Sequence, residues 1–194
     1  LKICTFKVSE QHRGRRYGEL LLKAVFNFIS SNRIGSTYLT VYEHHRELVR
    51  LLEAFGFQQI SVNSNGESVM AKQFRSNTQD IEALSCLDAH IRFGPPFIKL
   101  VGNRVFIVPI KPQWHSLLFP ELMEQTSLFA GSYPFGNSIM KAYICHANIR
   151  KINPGDILLF YQSIQVKSVS PLGVVEKTLV SAEESEIGRF VGKR

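Results

Sequence analysis

His12-Arg13-Gly14-Arg15-Arg16-Tyr17-Gly18-Glu19-Leu20-Leu21-Leu22 is the stretch that decides how the first part of this chain folds. It lies between a strand-like run, Leu1 to Val8, and a strongly helical one in which Leu21, Val25, Phe28 and Ile29 recur at i, i+4, i+7 and i+8. A tight turn with two glycines and three arginines therefore stands where a helix begins. The first helical turn leaves backbone N–H groups unpaired and carries a partial positive charge. Glycine lets the backbone approach a ligand closely, so the turn predicts an anion site fit for a diphosphate. A solvated basic turn is the plainer alternative, and the flanking sequence decides against it.

Working outward, Ser36–Tyr42 reads as the next strand, and Leu48, Leu51, Leu52 and Phe55 form a second helical stripe ending in Gly56-Phe57. Gln58–Asn63 and Glu67–Phe74, joined across Asn65-Gly66, read as a hairpin. The order over residues 1–75 is βαβαββ. With its Arg13-Gly14-Arg15-Arg16-Tyr17-Gly18 turn, this region resembles the acetyl-CoA-binding half of GNAT-family N-acetyltransferases, whose signature is Arg/Gln-x-x-Gly-x-Gly/Ala. Arg16 stands where that signature has its first glycine. The resemblance implies acetyl-CoA or coenzyme A as cofactor, held by Arg13, Gly14, Arg15, Arg16, Tyr17 and Gly18, with His45 at the position of an asparagine that touches the pantetheine arm. It also implies a general-acid tyrosine four residues before the Gly-Phe exit. Leu52 occupies that position and cannot donate a proton, so no catalytic residue is assigned. The chain opens with Leu1 inside the expected fourth strand, so it reads as a fragment of a larger protein or a degenerate half-domain, with a protein partner or an N-terminal region of the same chain as the expected complement.

Formal net charge is +7, and its distribution is informative. Residues 1–75 hold 11 Lys/Arg against 6 Asp/Glu, a balance of +5, whereas residues 76–194 hold 12 against 10, a balance of +2. A near-neutral second part argues against a strong nonspecific grip on a nucleic-acid backbone, which scales with the phosphates neutralised. No apolar run is long enough to span a bilayer, so no membrane partner is expected. Cys4, Cys86 and Cys145 are odd in number and sit in apolar contexts, which reads as reduced core thiols of a cytoplasmic protein.

Residues 76–103 read as a linker: a helix from Gln79 to about Arg92, its end at Gly94-Pro95-Pro96, then the start of a hairpin, Ile98–Val101 turning at Gly102-Asn103 into Val105–Ile110. Residues 104–194 read as a small all-β domain. Gln113–Pro120 is a short aromatic helix, and Lys141–Ile149, Ile157–Gln162, and Gln165–Ser168 running on to Leu172–Lys177 supply strands around an Asn153-Pro154-Gly155-Asp156 turn, in which Asp156 pins the loop. The Gly-Asp turn, the strand ending Tyr161-Gln162-Ser163 and the Gly173-Val174-Val175-Glu176 strand resemble PUA-like barrels, nearest the EVE and ASCH domains. The Gly-x-Lys-x-x-x-Glu-x-Arg signature of ASCH proteins is absent, which favours the EVE side. The expected architecture is thus α/β plus all-β: the second half of a GNAT fold followed by a small PUA-like β-barrel.

That likeness implies a pocket for RNA or a modified nucleobase, read by an aromatic platform with polar groups at the base edges. Trp114, Tyr133, Tyr143 and Tyr161 are platform candidates, Ser132, Asn137 and Ser163 edge partners, and Lys141 a phosphate partner. Trp114 and Tyr161 read equally well as core residues. Cys86 and His90 share one helical face, but Cys145-His146 are adjacent and would point apart on a strand, so no metal site is expected. The run Glu183-Glu184-Ser185-Glu186 reads as a solvated helix start or loop. The reading that results is an acetyltransferase-like, acyl-CoA-binding protein with an appended PUA-like reader. The alternative is a non-catalytic GNAT-like half with a PUA-like binding module, acting as sensor or scaffold.

Overall fold

The computed structural model describes residues 1–75, 81–95, 97–122, 134–145, 151–162 and 168–192. The chain forms two compact units, Leu1–Val101 with Gln125–Ile139, and Gly102–Glu124 with Met140–Arg194.

The first unit is a sheet covered by helices. Strand β1 (Ser36–Val41) pairs antiparallel with β3 (Ser68–Gln73), which pairs antiparallel with β2 (Gln58–Val62), in the order β1-β3-β2. The hairpin turns where the sequence predicts: the Asn63 side chain accepts from the N–H groups of Asn65 and Glu67 at 2.9 and 3.0 Å, and Gly66 takes the φ of +76° that the turn demands. On the other side of β1 the opening run contributes a single parallel bridge, Lys2 to Tyr38.

Helix α1 (Tyr17–Ser31) lies on this sheet, but rotated from the face the periodicity suggests. Leu22, Phe26 and Ile29 are buried, whereas Leu21 and Phe28 are exposed. The helix is apolar on more than one side, and contact with the sheet chooses among the stripes. Helix α2 (Arg46–Ala54) behaves as predicted, with Leu52 buried and Leu48, Leu51 and Phe55 packed around the same core. Phe26 is central, with the rings of Phe55, Phe57 and Phe74 at 5.9–6.5 Å. Each such side chain, once fully buried, contributes about 1.5–3 kcal/mol.

The helix expected from Gln79 to Arg92 is interrupted: Ile81 and Glu82 are helical, and the chain then leaves helical geometry before Ser85. Ser85 starts a new helix, α3 (Cys86–Phe93), its hydroxyl accepting from Asp88 N–H at 3.0 Å as an N-cap. That cap resets the buried face to Cys86, Ala89 and Phe93. Lys72, only 1% exposed, reaches the other end of α3 and donates to the carbonyls of Ile91 and Arg92 at 2.6 and 3.1 Å. Burial pushes its ammonium down to about 7, while the carbonyls and the faces of Phe26 and Phe74 act in the opposite sense.

In the second unit β4 (Val105–Ile110) pairs in parallel with β5 (Ile157–Gln162), and β6 (Ser168–Val174) pairs antiparallel with β5. The expected hairpin through Gly102-Asn103 does not form, because β4 takes β5 as its partner, and Ile98–Val101 is not a strand. Residues 141–145 are irregular, residues 146–149 and 165–167 of the expected strands lie outside the described residues, and Ser168–Val174 form one strand, β6. Among the described residues the sheet has three strands in the order β4-β5-β6 and does not close into a barrel. Helix α4 (Pro112–Leu118) starts at a proline, and Phe119 just beyond it packs with Ile110 and Phe160. The one-turn helix α5 (Pro134–Asn137) belongs to the first unit. The acidic run opens helix α6 (Glu184–Gly192).

Asp156 pins its turn as expected, accepting from Asn153 N–H at 2.7 Å, and also takes a bidentate bond from Arg104 at 2.6 and 3.1 Å. Burial works to raise its carboxyl, but the Arg104 and Asn153 donors win and hold it below the usual carboxylate range. Of the cysteines only Cys86 is buried, so the expected core placement fails for Cys4 and Cys145. No helix among the described residues is long and apolar enough to cross a membrane.

Candidate functional site

The turn before α1 is built from alternating backbone conformations. Arg13 is extended, Gly14 has φ +79° and Arg16 has φ +55°. Left-handed geometry costs a non-glycine residue about 1–2 kcal/mol, so Arg16 needs support. Such alternation curls successive N–H groups toward one concavity. Among the described residues, the N–H groups from Gly14 to Glu19 find no backbone acceptor, and the helical ladder begins only with Leu20 N–H to Arg16 C=O at 3.1 Å. Gly14 is glycine for its φ and faces open space. Gly18 is glycine for packing, since a Cβ there would lie 2.9 Å from Leu51 Cδ2 on α2.

The arginines differ in availability. Arg13 and Arg15 are exposed, and Arg13 meets Glu10 at 3.5 Å in a solvated pair of little energetic weight. Arg16 is committed elsewhere, its Nη1 lying 2.8 Å from Glu19 Oε1 and 3.1 Å from Ser138 Oγ. Tyr17 sits with its ring 5.9 Å from that of His12.

A cavity of about 340 Å³ opens between the first strand-like run and β1. The two are tied at their start by Ile3 N–H to Tyr38 C=O at 2.8 Å and Tyr38 N–H to Leu1 C=O at 3.0 Å. Thr5 then takes φ +57°, ending extended pairing, and the strands diverge. Cys4, Thr5 and Phe6 line one wall and Thr40, Val41 and Tyr42 the other, with His45 at the rim. The volume is at the small end of the range for ligand pockets, roughly 300–1,000 Å³. His45 precedes α2, its N–H bonded to Tyr42 C=O at 3.0 Å, and rings of Tyr42, His44 and His45 form a continuous row, with neighbouring centroids 5.5 and 4.1 Å apart. His45 therefore lines a cavity. Leu52 does not; it is 0% exposed within the core. Sequence reasoning missed Thr5 and the cavity wall, because a positive φ at threonine leaves no compositional trace.

The residues expected to form a base pocket are only partly described. Ser132, Tyr133 and Ser163 lie outside the described residues. Asn137 belongs to the first unit, where its Nδ2 donates to Arg15 C=O at 2.9 Å. In the second unit Trp114 is 51% exposed on α4, whose buried residue is His115. Tyr143 packs edge-on to Phe160 at 5.5 Å, its hydroxyl 3.4 Å from Pro109 C=O. Tyr161 follows Phe160 on β5 and so projects from the opposite face of the sheet. Lys141 is half-buried. Cys86 and His90, the pair with metal-like spacing, instead hold the following segment: Cys86 Sγ donates to Lys99 C=O at 3.2 Å, and His90 Nδ1 lies 3.2 Å from Phe97 C=O. Burial pushes the His90 imidazole down. No group of three or more His, Cys, Asp or Glu able to hold a metal ion occurs among the described residues.

Comparison with known proteins gives one match. The chain is 31% identical over 70 residues to a spermine/spermidine N(1)-acetyltransferase of Bacillus subtilis (strain 168). The matched stretch is 35% of this chain and 46% of that relative, so the chain spans about half the length of the curated protein it matches. No protein-family description matches, and no solved structure does. A segment of the chain is thus similar to part of an acetyltransferase.

Proposed function

We propose that the first unit binds an acyl-coenzyme A, with the diphosphate on the N–H groups from Gly14 to Glu19 and the pantetheine arm between the diverging strands. The observation that carries this reading is the run of amides without a backbone acceptor among the described residues, at a fifteen-residue helix in the same unit as the cavity. A group with an anionic head and a thin, partly polar arm fits that combination. Arg13 and Arg15 supply charge at the head. When bound, acyl-CoA supplies an activated thioester.

His45 and Tyr42 are the aromatic groups with exchangeable protons on the cavity, and Leu52 brings none. The proposed chemistry is N-acyl transfer, with the acceptor an amine, as the name of the similar acetyltransferase suggests. The second unit's reading as a nucleobase module is not part of the proposal, since its described aromatics do not converge.

The test is calorimetric titration of the full chain with coenzyme A. Hydrogen bonds to a charged group are worth about 1.5–3 kcal/mol each, or roughly tenfold to a hundredfold in affinity. Gly18→Val drives a branched side chain against Leu51 and displaces the turn's amides, so binding should weaken at least tenfold. An intact chain that takes up no coenzyme A at millimolar concentration would overturn the proposal.

A further inference from the structure

The diphosphate turn is held from behind by a segment more than a hundred residues away. Gly136–Ile139, within the connection between parallel strands β4 and β5, packs on the first two turns of α1 and belongs to the first unit. Ser138, 2% exposed, donates to Glu19 Oε2 at 2.8 Å and accepts from Arg16 Nη1 at 3.1 Å. Ile139 N–H donates to the same Oε2 at 2.8 Å, Asn137 Nδ2 donates to Arg15 C=O at 2.9 Å, and Lys23 Nζ donates to Gly136 C=O at 3.1 Å.

The pattern of these contacts is specific. None uses an N–H of the turn, and each holds a carbonyl or a side chain of the turn or of α1. A plug would satisfy the amides, whereas this segment leaves them open and braces the strained Arg16 backbone. It also disposes of a charge problem. A carboxylate in the first turn of α1 would repel an incoming diphosphate, yet Glu19 is saturated by three donors and drawn onto Arg16 and Ser138.

We propose that Gly136–Ile139 is a built-in buttress of the diphosphate turn, in which Ser138, Asn137 and Glu19 are positioning residues for the anionic head of the cofactor. This rests on the acyl-CoA reading above. It makes the cofactor site a composite of both halves of the sequence, so residues 1–75 alone lack part of it.

Ser138→Ala and the milder Asn137→Ala are made in the full chain and titrated with coenzyme A and with S-acetylpantetheine, which lacks the diphosphate. Ser138→Ala should weaken coenzyme A about tenfold and Asn137→Ala at least threefold, with S-acetylpantetheine changed less than twofold. Ser138→Thr, which keeps the hydroxyl, should restore coenzyme A affinity to within threefold. Equal losses for both ligands, or a Ser138→Ala affinity within twofold of the parent, would overturn the positioning role. If the parent chain binds no coenzyme A, the functional reading fails. The buttress is then judged by hydrogen exchange of the Leu20 and Ile139 amides, bonded to Arg16 C=O and Glu19 Oε2, which Ser138→Ala must accelerate at least tenfold, and unchanged rates refute it.

Discussion

Gly56→Ala probes the joint that fixes α2, and with it the rim of the cavity. Two costs combine at this position. Gly56 has φ +79°, where a β-carbon costs about 1–2 kcal/mol. The added Cβ would also collide with Ile91 C=O at the end of α3 and lie 2.8 Å from Lys72 Nζ. Relief requires that α3 move off, breaking the bond from Lys72 to Ile91, a charge-assisted bond worth about 1.5–3 kcal/mol. The expected total is about 2.5–5 kcal/mol. Gly66→Ala is the control, since Gly66 has nearly the same φ, +76°, with nothing within 4 Å of the added carbon. It should cost only the strain, about 1–2 kcal/mol. Native-state hydrogen exchange at Leu39 and Met70, in the core strands, reads the stability of this unit directly. Equal destabilisation by the two substitutions would refute the claim that α3 is locked against Gly56 and Lys72.

Two further outcomes follow from buried side chains. Lys72 has its ammonium lowered from 10.5 to about 7 in the fold, so between those values the unfolded chain binds more protons and stability should rise with pH. The slope should be positive but below the limit of about 1.4 kcal/mol per pH unit, because the two carbonyl acceptors favour the charged form. Denaturation at pH 7, 8 and 9 should show the slope in the parent and lose it in Lys72→Met; a flat parent profile would refute it. Leu52→Tyr should destabilise the first unit by about 1–3 kcal/mol through overpacking, and should not raise acyl-transfer turnover, since the side chain is enclosed by the core. A strong rise in turnover, measured by thiol release, would contradict that placement.

Local order was legible in the sequence wherever neighbours along the chain impose it. Gly14 and the arginines before Tyr17, the Asn63–Gly66 turn, the stripe of α2 and the Asn153–Asp156 turn are each set by backbone sterics or by hydrogen bonds spanning a few residues, and all stand where the sequence places them. What depends on partners far along the chain was not legible. Which stripe of α1 is buried depends on the sheet beneath it, and whether β4 turns into a hairpin or pairs in parallel depends on β5, about fifty residues later. The cavity depends on Thr5 leaving the extended region, and Asn137 resembles a base-edge partner until the fold carries it to Arg15. Glu19 is the clearest instance: on its own it is an ordinary acid in a first helical turn, and Ser138, 119 residues away, makes it a brace. The sequence by itself determined the tight turn before α1, because its geometry is local. Only the tertiary structure decided what holds that turn in shape, because a buried hydrogen-bond network needs groups that no short-range pattern brings together.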